Sequence, residues 1–336
     1  MTGSEQTIIE WFGATTYRLK TRGLTIFLDT WLDRPSTLPQ YLSTSDVTEC
    51  DYIFISHAHF DHLPGADKIA LRTGATIVGN GEVINVMRAA GVPPSQLLAI
   101  AGGERIPLGT SGVVAHAYPS LHCLMPPGDH LSMPETLDTA TVYLGGQDGC
   151  TLDVTRGMTK GFTHICSAPD EAFANAPEEF KVFREWLKDR EANRFSYFDG
   201  GQIMYNFVIP YQGVLLWSGH LGAYEGVVKS MCPKPDVVIL GVAGRGNLDG
   251  RPFEGSSAEM VTRIVEWLGE PERIVFSLWD EMPLKPKRID TRAAKKAVEE
   301  RTKSRVWDLV HAEVGVVFDQ PRGVTDGNVM DTKPIV

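Results

Sequence analysis

Three histidines and one aspartate fall within six residues, directly after an apolar segment, and this cluster constrains the fold more than any other feature. Residues 52–55 are β-branched and aromatic, which predicts a buried strand. Residues 63–72 are predicted to begin a helix. Pro64 lies in its first turn, where proline is tolerated. The cluster therefore lies at the C-terminal end of a strand, in the loop before a helix. In α/β folds, binding and catalytic side chains collect in such loops.

The spacing within the cluster suits a metal site. His57 and His59 are two residues apart, so in an extended segment their side chains point the same way and can bind one ion. Asp61 and His62 follow where the chain turns, and they can face that ion or a second one. Imidazoles with a carboxylate suit Zn²⁺, and also Mn²⁺ or Fe²⁺. A histidine-rich surface loop is the alternative, but the chain has only nine histidines in 336 residues, which favours the metal site.

The motif at residues 57–62 resembles the His-x-His-x-Asp-His signature of the metallo-β-lactamase superfamily. The likeness extends from Ile8 to Pro286 with one long interruption, and residues 11–16 and 27–30 look like the first hairpins of that family. It is strongest toward the metal-dependent hydrolase branch, which includes ascorbate-lactone hydrolases and N-acylphosphatidylethanolamine phospholipase D-like enzymes. The resemblance implies an α/β fold, the αββα sandwich. We expect a single domain over residues 1–336, with residues 124–201 inserted in it.

The resemblance also implies roles for residues outside the motif. His122 follows a strand predicted over residues 113–118, where the family has its third metal-binding histidine. His220 stands where the family has an aspartate that bridges two metals. An imidazole cannot bridge two ions as a carboxylate does, but it can bind one. Asp29 stands where the family braces the metal-binding loop, although an aspartate of an ordinary turn is the alternative.

The remaining candidates are less direct. Leu278 stands where the family branch often has a metal-binding histidine, and its side chain cannot bind metal. Asp280, two residues later, is interpreted either as a replacement ligand or as a helix or turn cap. His116 is predicted to be a packed or edge histidine inside its strand. His130 and His164 are interpreted as ordinary loop histidines.

The insertion contains one amphipathic helix, predicted over residues 177–193. Its apolar side chains recur at helical spacing between charged ones: Phe180, Phe183, Trp186 and Leu187. We interpret it as a helix packed on the domain. The alternatives are that this helix covers the site or that it forms a dimer contact. A dimer contact would make the protein a homo-oligomer.

The composition limits the classes of partner and the cellular compartment that we expect for this chain. The net charge of −10 argues against general nucleic-acid binding, which requires clustered lysine and arginine. The five scattered cysteines form no Cys-x-x-Cys pair, so we expect neither a disulfide framework nor a zinc knuckle. We recognise no signal peptide, and no apolar run approaches the ~20 residues of a membrane span. These features predict a cytoplasmic protein with no integral membrane segment that acts on a small molecule.

Together these features predict a metal-dependent hydrolase. His57, His59 and His122 would hold one ion, with an open position for a water whose pKa falls toward ~7. Asp61 would orient or deprotonate that water. The substrate would carry an ester, lactone or amide bond.

A second ion would be held by Asp61, His62 and His220. Because the bridging aspartate and the histidine at position 278 are missing, we expect one ion rather than two. His220 is also a candidate proton donor to the leaving group. Two alternatives stay open: a phosphodiesterase or phospholipase-D-like hydrolase with two metals, and a catalytically degenerate metal-binding protein of the same fold.

Overall fold

The computed structural model describes residues 6–127, 132–144 and 157–319, and its core is two facing seven-stranded sheets. The first six strands are β1 (Ile8–Trp11), β2 (Tyr17–Thr21), β3 (Leu24–Leu28), β4 (Tyr52–Phe54), β5 (Thr76–Gly79) and β6 (Leu97–Ala99). They are adjacent in one sheet, antiparallel from β1 to β3 and parallel from β3 to β6. The parallel part explains the cluster's position, since the ends of parallel strands meet at one edge of a sheet.

The rest of the chain supplies the second sheet and three small ones. Its strands are β7 (Arg105–Pro107), β8 (Val114–Pro119), β9 (Thr136–Asp138), β10 (Val142–Tyr143), β11 (Ile203–Ile209), β12 (Gly213–Ser218), β13 (Gly222–Ala223), β14 (Val237–Gly241), β15 (Asn247–Leu248), β16 (Arg251–Pro252), β17 (Gly255–Ser256), β18 (Arg273–Ser277), β19 (Arg288–Asp290), β20 (Arg305–Val306) and β21 (Val314–Val316). The second sheet has the order β20-β18-β14-β12-β11-β8-β7, while β21 pairs with β1 in the first.

The described residues form seven helices. They are α1 (Ala66–Thr73), α2 (Gly81–Ala89), α3 (Thr163–Ser167), α4 (Glu178–Lys188), α5 (Glu225–Ser230), α6 (Ser257–Trp267) and α7 (Arg292–Arg301). Short 3₁₀ turns lie at Thr44–Asp46, Pro94–Gln96 and Asp170–Phe173, and a π-helical segment lies at Gly157–Phe162. Helix α6 begins with a capping box, in which the Ser256 side chain accepts from the Glu259 amide and Glu259 accepts in return from Ser256.

Successive side chains along a strand point to opposite faces of its sheet, and this alternation produces the layers. In β4, Phe54 packs between the two sheets, while its neighbour Ile53 packs beneath α1 and α2. On the other sheet, Leu240 of β14 packs against Val261 of α6 and Val298 of α7. The order helix, sheet, sheet, helix is the predicted αββα sandwich, and this prediction is confirmed.

Residues 124–201 are tied into this sandwich at several points. Strand β9 pairs with β19, β10 pairs with β17, and α4 packs on an aromatic cluster of the first sheet's loops. Their status as a separate insertion stays a prediction, and His130 lies outside the described residues. In the described part of the chain, no helix is long and apolar enough to cross a membrane.

Candidate metal centre

Loops from both sheets meet at one edge of the sandwich and bring five histidines together. The motif loop follows β4 of the first sheet, while His122 follows β8 and His220 follows β12 of the second. The two loops of the second sheet touch closely at Gly222, where an added Cβ would lie 2.0 Å from the carbonyl oxygen of Leu121. Only glycine allows this approach, so Gly222 helps to hold His122 and His220 side by side.

The first donor set is His57, His59 and His122. The Nε2 of His57 lies 3.0 Å from the Nδ1 of His59, which lies 3.2 Å from the Nε2 of His122. Two nitrogens bound tetrahedrally to one zinc ion at about 2.0–2.1 Å would be about 3.3 Å apart. The observed separations therefore match adjacent ligands of a single ion.

A second donor set adjoins the first. The Nε2 atoms of His62 and His220 are 3.2 Å apart, and Oδ2 of Asp61 lies 3.4 Å from the Nε2 of His62. His220 is shared between the sets, because its donor atom and those of His57 and His122 all lie within 4.8 Å of one another. The structure thus brings together all six residues predicted as ligands, whose binding role stays a prediction.

Hydrogen bonds behind the rings orient three of these histidines. The Nδ1 of His122 lies 2.8 Å from the carbonyl oxygen of Cys123, so that nitrogen must donate and Nε2 keeps its lone pair for the site. The Nδ1 of His57 lies 3.0 Å from Oγ of Ser56. The Nδ1 of His220 lies 3.3 Å from the sulfur of Cys123.

Asp29 braces the fourth ring. Its Oδ2 lies 2.5 Å from the Nδ1 of His62, and the carboxylate also accepts from Oγ1 of Thr15 at 2.7 Å and from the amide of Ser56 at 2.9 Å. Asp29 adopts φ 51°, a left-handed conformation that is uncommon for a residue other than glycine. This network is the bracing that the family resemblance implied, and a simple turn role does not account for it.

The electrostatics of the site fit a bound cation. Burial, with the neighbouring imidazoles, lowers the pKa of His57, His59 and His220 well below the usual value, so these rings are neutral at pH 7. Burial opposes protonation of His62 as well, but Asp61 and Asp29 outweigh it and raise the pKa of His62 to about 10. The neutral rings of His57, His59 and His220, beside the Asp61 carboxylate, form a donor set that suits a divalent metal, whereas His62 can bind a metal only after it loses its proton.

The position that the family branch fills with histidine is apolar here. The Leu278 side chain is 3% exposed and packs in the aromatic cluster beside the site. Asp280 accepts from the amide of Ala14 at 2.9 Å and lies 3.4 Å from Arg34 and 3.3 Å from His311. Its carboxylate thus joins distant segments in a buried network, and its predicted roles, as a replacement ligand or as a helix or turn cap, stay predictions.

Two other histidines with predicted roles lie in regular secondary structure. His116 lies inside β8, opposite Arg105 of β7 and Asn206 of β11, away from the site's donor atoms. The predicted loop position of His164 is wrong, since His164 lies in α3, where its ring contacts Phe173. Sequence reasoning missed Thr15, Ser56 and Cys123, which orient the rings; for Ser56 and Cys123 the signal was a polar side chain adjacent to a candidate ligand.

An aromatic wall flanks the centre. Phe60, inside the motif, packs edge-on against Trp31 and contacts Phe183 of α4. Its described members are Ala14, Trp31, Phe60, Leu124, Met158, Phe162, Phe183, Leu187, Phe195 and Leu278. The wall gives the site an apolar side, which strengthens electrostatic interactions in it by excluding water.

Comparison with known proteins supports one superfamily. A family model described as Beta-lactamase superfamily domain matches residues 25–147. A UPF0173 metal-dependent hydrolase of Pyrobaculum neutrophilum is 29% identical over 188 residues, which cover 54% of this chain and 80% of the relative. Another, from Pyrobaculum islandicum, is 34% identical over 149 residues, covering 44% of this chain and 64% of that protein's length.

Solved structures show the same fold. Igni18, a metallo hydrolase from Ignicoccus hospitalis, superposes with a TM-score of 0.56 at 17% identity, covering 93% of this chain and 98% of that one. An isothiocyanate hydrolase from Delia radicum gut bacteria gives a TM-score of 0.54 at 13% identity, covering 93% and 99%. At these identities the likeness concerns the fold alone.

Proposed function

We propose that this chain is a metal-dependent hydrolase of the metallo-β-lactamase superfamily that uses one metal-activated water to cleave an ester, lactone or amide bond of a small molecule. The observation that carries the proposal is the first donor set, in which the nitrogens of His57, His59 and His122 lie 3.0 and 3.2 Å apart. A site with three protein ligands leaves a fourth position open to water, as in catalytic zinc sites.

The metal, when bound, would supply a Lewis acid that lowers the pKa of a water toward ~7 and polarises the scissile carbonyl. Asp61 suits the role of proton acceptor, because His62 and His59 outweigh its burial and lower its pKa, which leaves the carboxylate ionised. His220 suits the role of ligand better than that of acid, because burial lowers its pKa and keeps the ring neutral at pH 7.

A second candidate function is supported by the second donor set. Asp61, His62 and His220 converge beside the first set, and two ions about 4 Å apart would favour phosphodiester cleavage. The count of bound metals separates the two functions: one ion per chain supports the first and two support the second.

The test combines metal analysis with a substrate panel. Metal-stripped protein is reloaded with Zn²⁺ or Mn²⁺ and assayed on a generic ester, lactone, amide, β-lactam and bis(p-nitrophenyl) phosphate. We expect metal-dependent turnover of an ester, lactone or amide, abolished in His122→Ala and retained in His116→Ala, a histidine away from the donor atoms. Bound metal without turnover of any substrate would support the degenerate alternative, and absence of bound metal would overturn the proposal.

A further inference from the structure

Arg245 is an unusual buried cation. Three arginines of the described chain are more than nine-tenths buried: Arg34 is 5% exposed, Arg184 is 3% exposed and Arg245 is 7% exposed. Arg34 pairs with Asp280, and Arg184 pairs with Asp170. Within the described residues, no carboxylate pairs with Arg245, and its Nε is sealed from solvent without a hydrogen-bond partner. An unpaired buried charge is destabilising, so its presence calls for a functional explanation.

The loop that carries Arg245 touches the loop of the third histidine. Arg245 lies opposite Leu124 in an antiparallel bridge, with both backbone hydrogen bonds at 2.8 Å. Residues directly opposite in such a pair point to the same face, and Leu124 packs with Phe60 of the motif. The Arg245 side chain therefore leaves the backbone on the side of the aromatic wall that flanks the metal centre.

A glycine keeps these loops in contact. Gly244 adopts φ 80°, and an added Cβ would lie 2.6 Å from the sulfur of Cys123. That sulfur is 3.3 Å from the Nδ1 of His220. The residue before Arg245 thus packs on a side chain that contacts a candidate metal ligand.

Tyr143 supports the guanidinium from one side. The Arg245 guanidinium carbon lies 5.7 Å from the centre of the Tyr143 ring, which is also buried. An aromatic face stabilises a guanidinium while leaving the N–H groups at its edge available to another partner. This arrangement orients the cation without neutralising it.

We propose that Arg245 binds an oxyanion group of the substrate, a carboxylate or a phosphoryl group, and so selects acidic substrates for the metal centre. The inference rests on the proposed function, since it assumes that the substrate occupies that centre. The guanidinium fork matches both groups, because two parallel N–H donors meet two oxygens. On a chain with a net charge of −10, a local cation is needed to hold an anion against the overall field.

The test measures anion binding without metal. Chelator-treated wild type, Arg245→Met and Arg263→Met are titrated with acetate and with inorganic phosphate, and binding is followed by calorimetry. Arg263 is the matched control, because it also lies over an aromatic ring, that of Phe253, but is exposed. We expect saturable binding by wild type and Arg263→Met, and at least about tenfold weaker binding by Arg245→Met. Stronger binding of acetate or of phosphate would identify the substrate group as carboxylate or phosphoryl.

Thermal unfolding of the same proteins distinguishes a binding role from a structural one. We expect Arg245→Met to melt at or above the wild-type temperature, because the substitution removes an unpaired buried charge. A lower melting temperature would assign Arg245 to the fold and overturn the proposal. If Arg245→Met fails to express folded, Arg245→Lys serves instead, with weaker anion binding at an unchanged melting temperature expected.

Two further results separate this inference from the proposed function. Equal anion binding by wild type and Arg245→Met, or none by either, would overturn the role of Arg245 even if wild type hydrolyses a neutral ester. A wild-type protein that binds no metal would overturn the proposed function and leave the anion measurement unaffected.

Discussion

His220 has its Nε2 3.2 Å from the Nε2 of His62 and its Nδ1 3.3 Å from the sulfur of Cys123. This placement makes it a member of the second donor set, at the position where the superfamily has a carboxylate. We expect His220→Ala to weaken metal binding and His220→Asp to hold two ions, because a carboxylate can bridge them. Elemental analysis after dialysis measures both results. Unchanged metal content, turnover and pH–rate profile in His220→Ala would exclude any role in the centre.

Asp29 offers a second test at the residue scale. We expect Asp29→Asn to lower metal affinity about 10–100-fold, because the neutral amide no longer fixes Ser56, whose Oγ orients the Nδ1 of His57, or the His62 ring. Metal titration with a competing chelator measures the change. Asp33→Asn is the matched control, since Asp33 bonds Thr44 and Lys68 on the surface side of the same loop. Equal affinities in the two variants would show that Asp29 does not support the centre.

Some residues of the site could be predicted from local sequence patterns, and others could not. The donors at 57–62 could be predicted because strand geometry relates side chains two residues apart. Cys123 and Arg245 could not, because their partners lie on loops far apart in sequence that only the folded sheets bring together. The network around Asp280 could not be predicted for the same reason, since Ala14 and Arg34 come from the other end of the chain.

At the scale of elements, α4 allows a test of whether a helix beside the site contributes to packing or to catalysis. Phe183 and Leu187 are fully buried in the aromatic wall, whereas Glu185 is exposed and pairs with Lys188 at 2.9 Å. We expect Phe183→Ala to lower the free energy of unfolding by about 3–5 kcal/mol, and Glu185→Ala to change it by less than about 0.5 kcal/mol with turnover within a few-fold. Denaturant titration and steady-state kinetics measure these effects. A loss of several orders of magnitude in turnover by folded Glu185→Ala would place this helix in the active site.

Element boundaries followed from periodicity wherever an element buries a face. The helix predicted over residues 63–72 is observed at Ala66–Thr73, because Gly65 adopts φ 98° and the turn before it stays irregular. The amphipathic helix ends at Lys188 rather than at residue 193, because residues 189–193 contribute no side chain to the aromatic wall. Strand β7, Arg105–Pro107, was not predicted, because two of its three residues are exposed and its sequence shows no strand pattern. The strand is defined by its pairing with β8.

For the whole molecule, the candidate centre joins the two sheets. The residues that follow β4 belong to the first sheet, and His122 and His220 belong to the second. A metal bound by nitrogens from both sheets would therefore link the two halves of the sandwich and bind the folded state alone. The order of elements predicted this meeting of strand ends, but the shared role of His220 required the folded structure.

Metal binding should therefore stabilise the entire fold. At a free metal concentration ~1,000 times the dissociation constant, linkage adds ~4 kcal/mol to the free energy of unfolding, which corresponds to a rise in Tm on the order of 5–10 °C for a chain of this size. We expect this rise, measured by calorimetry with and without Zn²⁺, in wild type and His116→Ala, whose substitution lies away from the donor atoms. His122→Ala should lose most of it, since His122 belongs to the first donor set and its Nε2 lies 3.2 Å from the Nδ1 of His59 across the two sheets. An equal rise in His122→Ala would mean that His122 does not hold the metal, and would leave His220 as the candidate ligand from the second sheet.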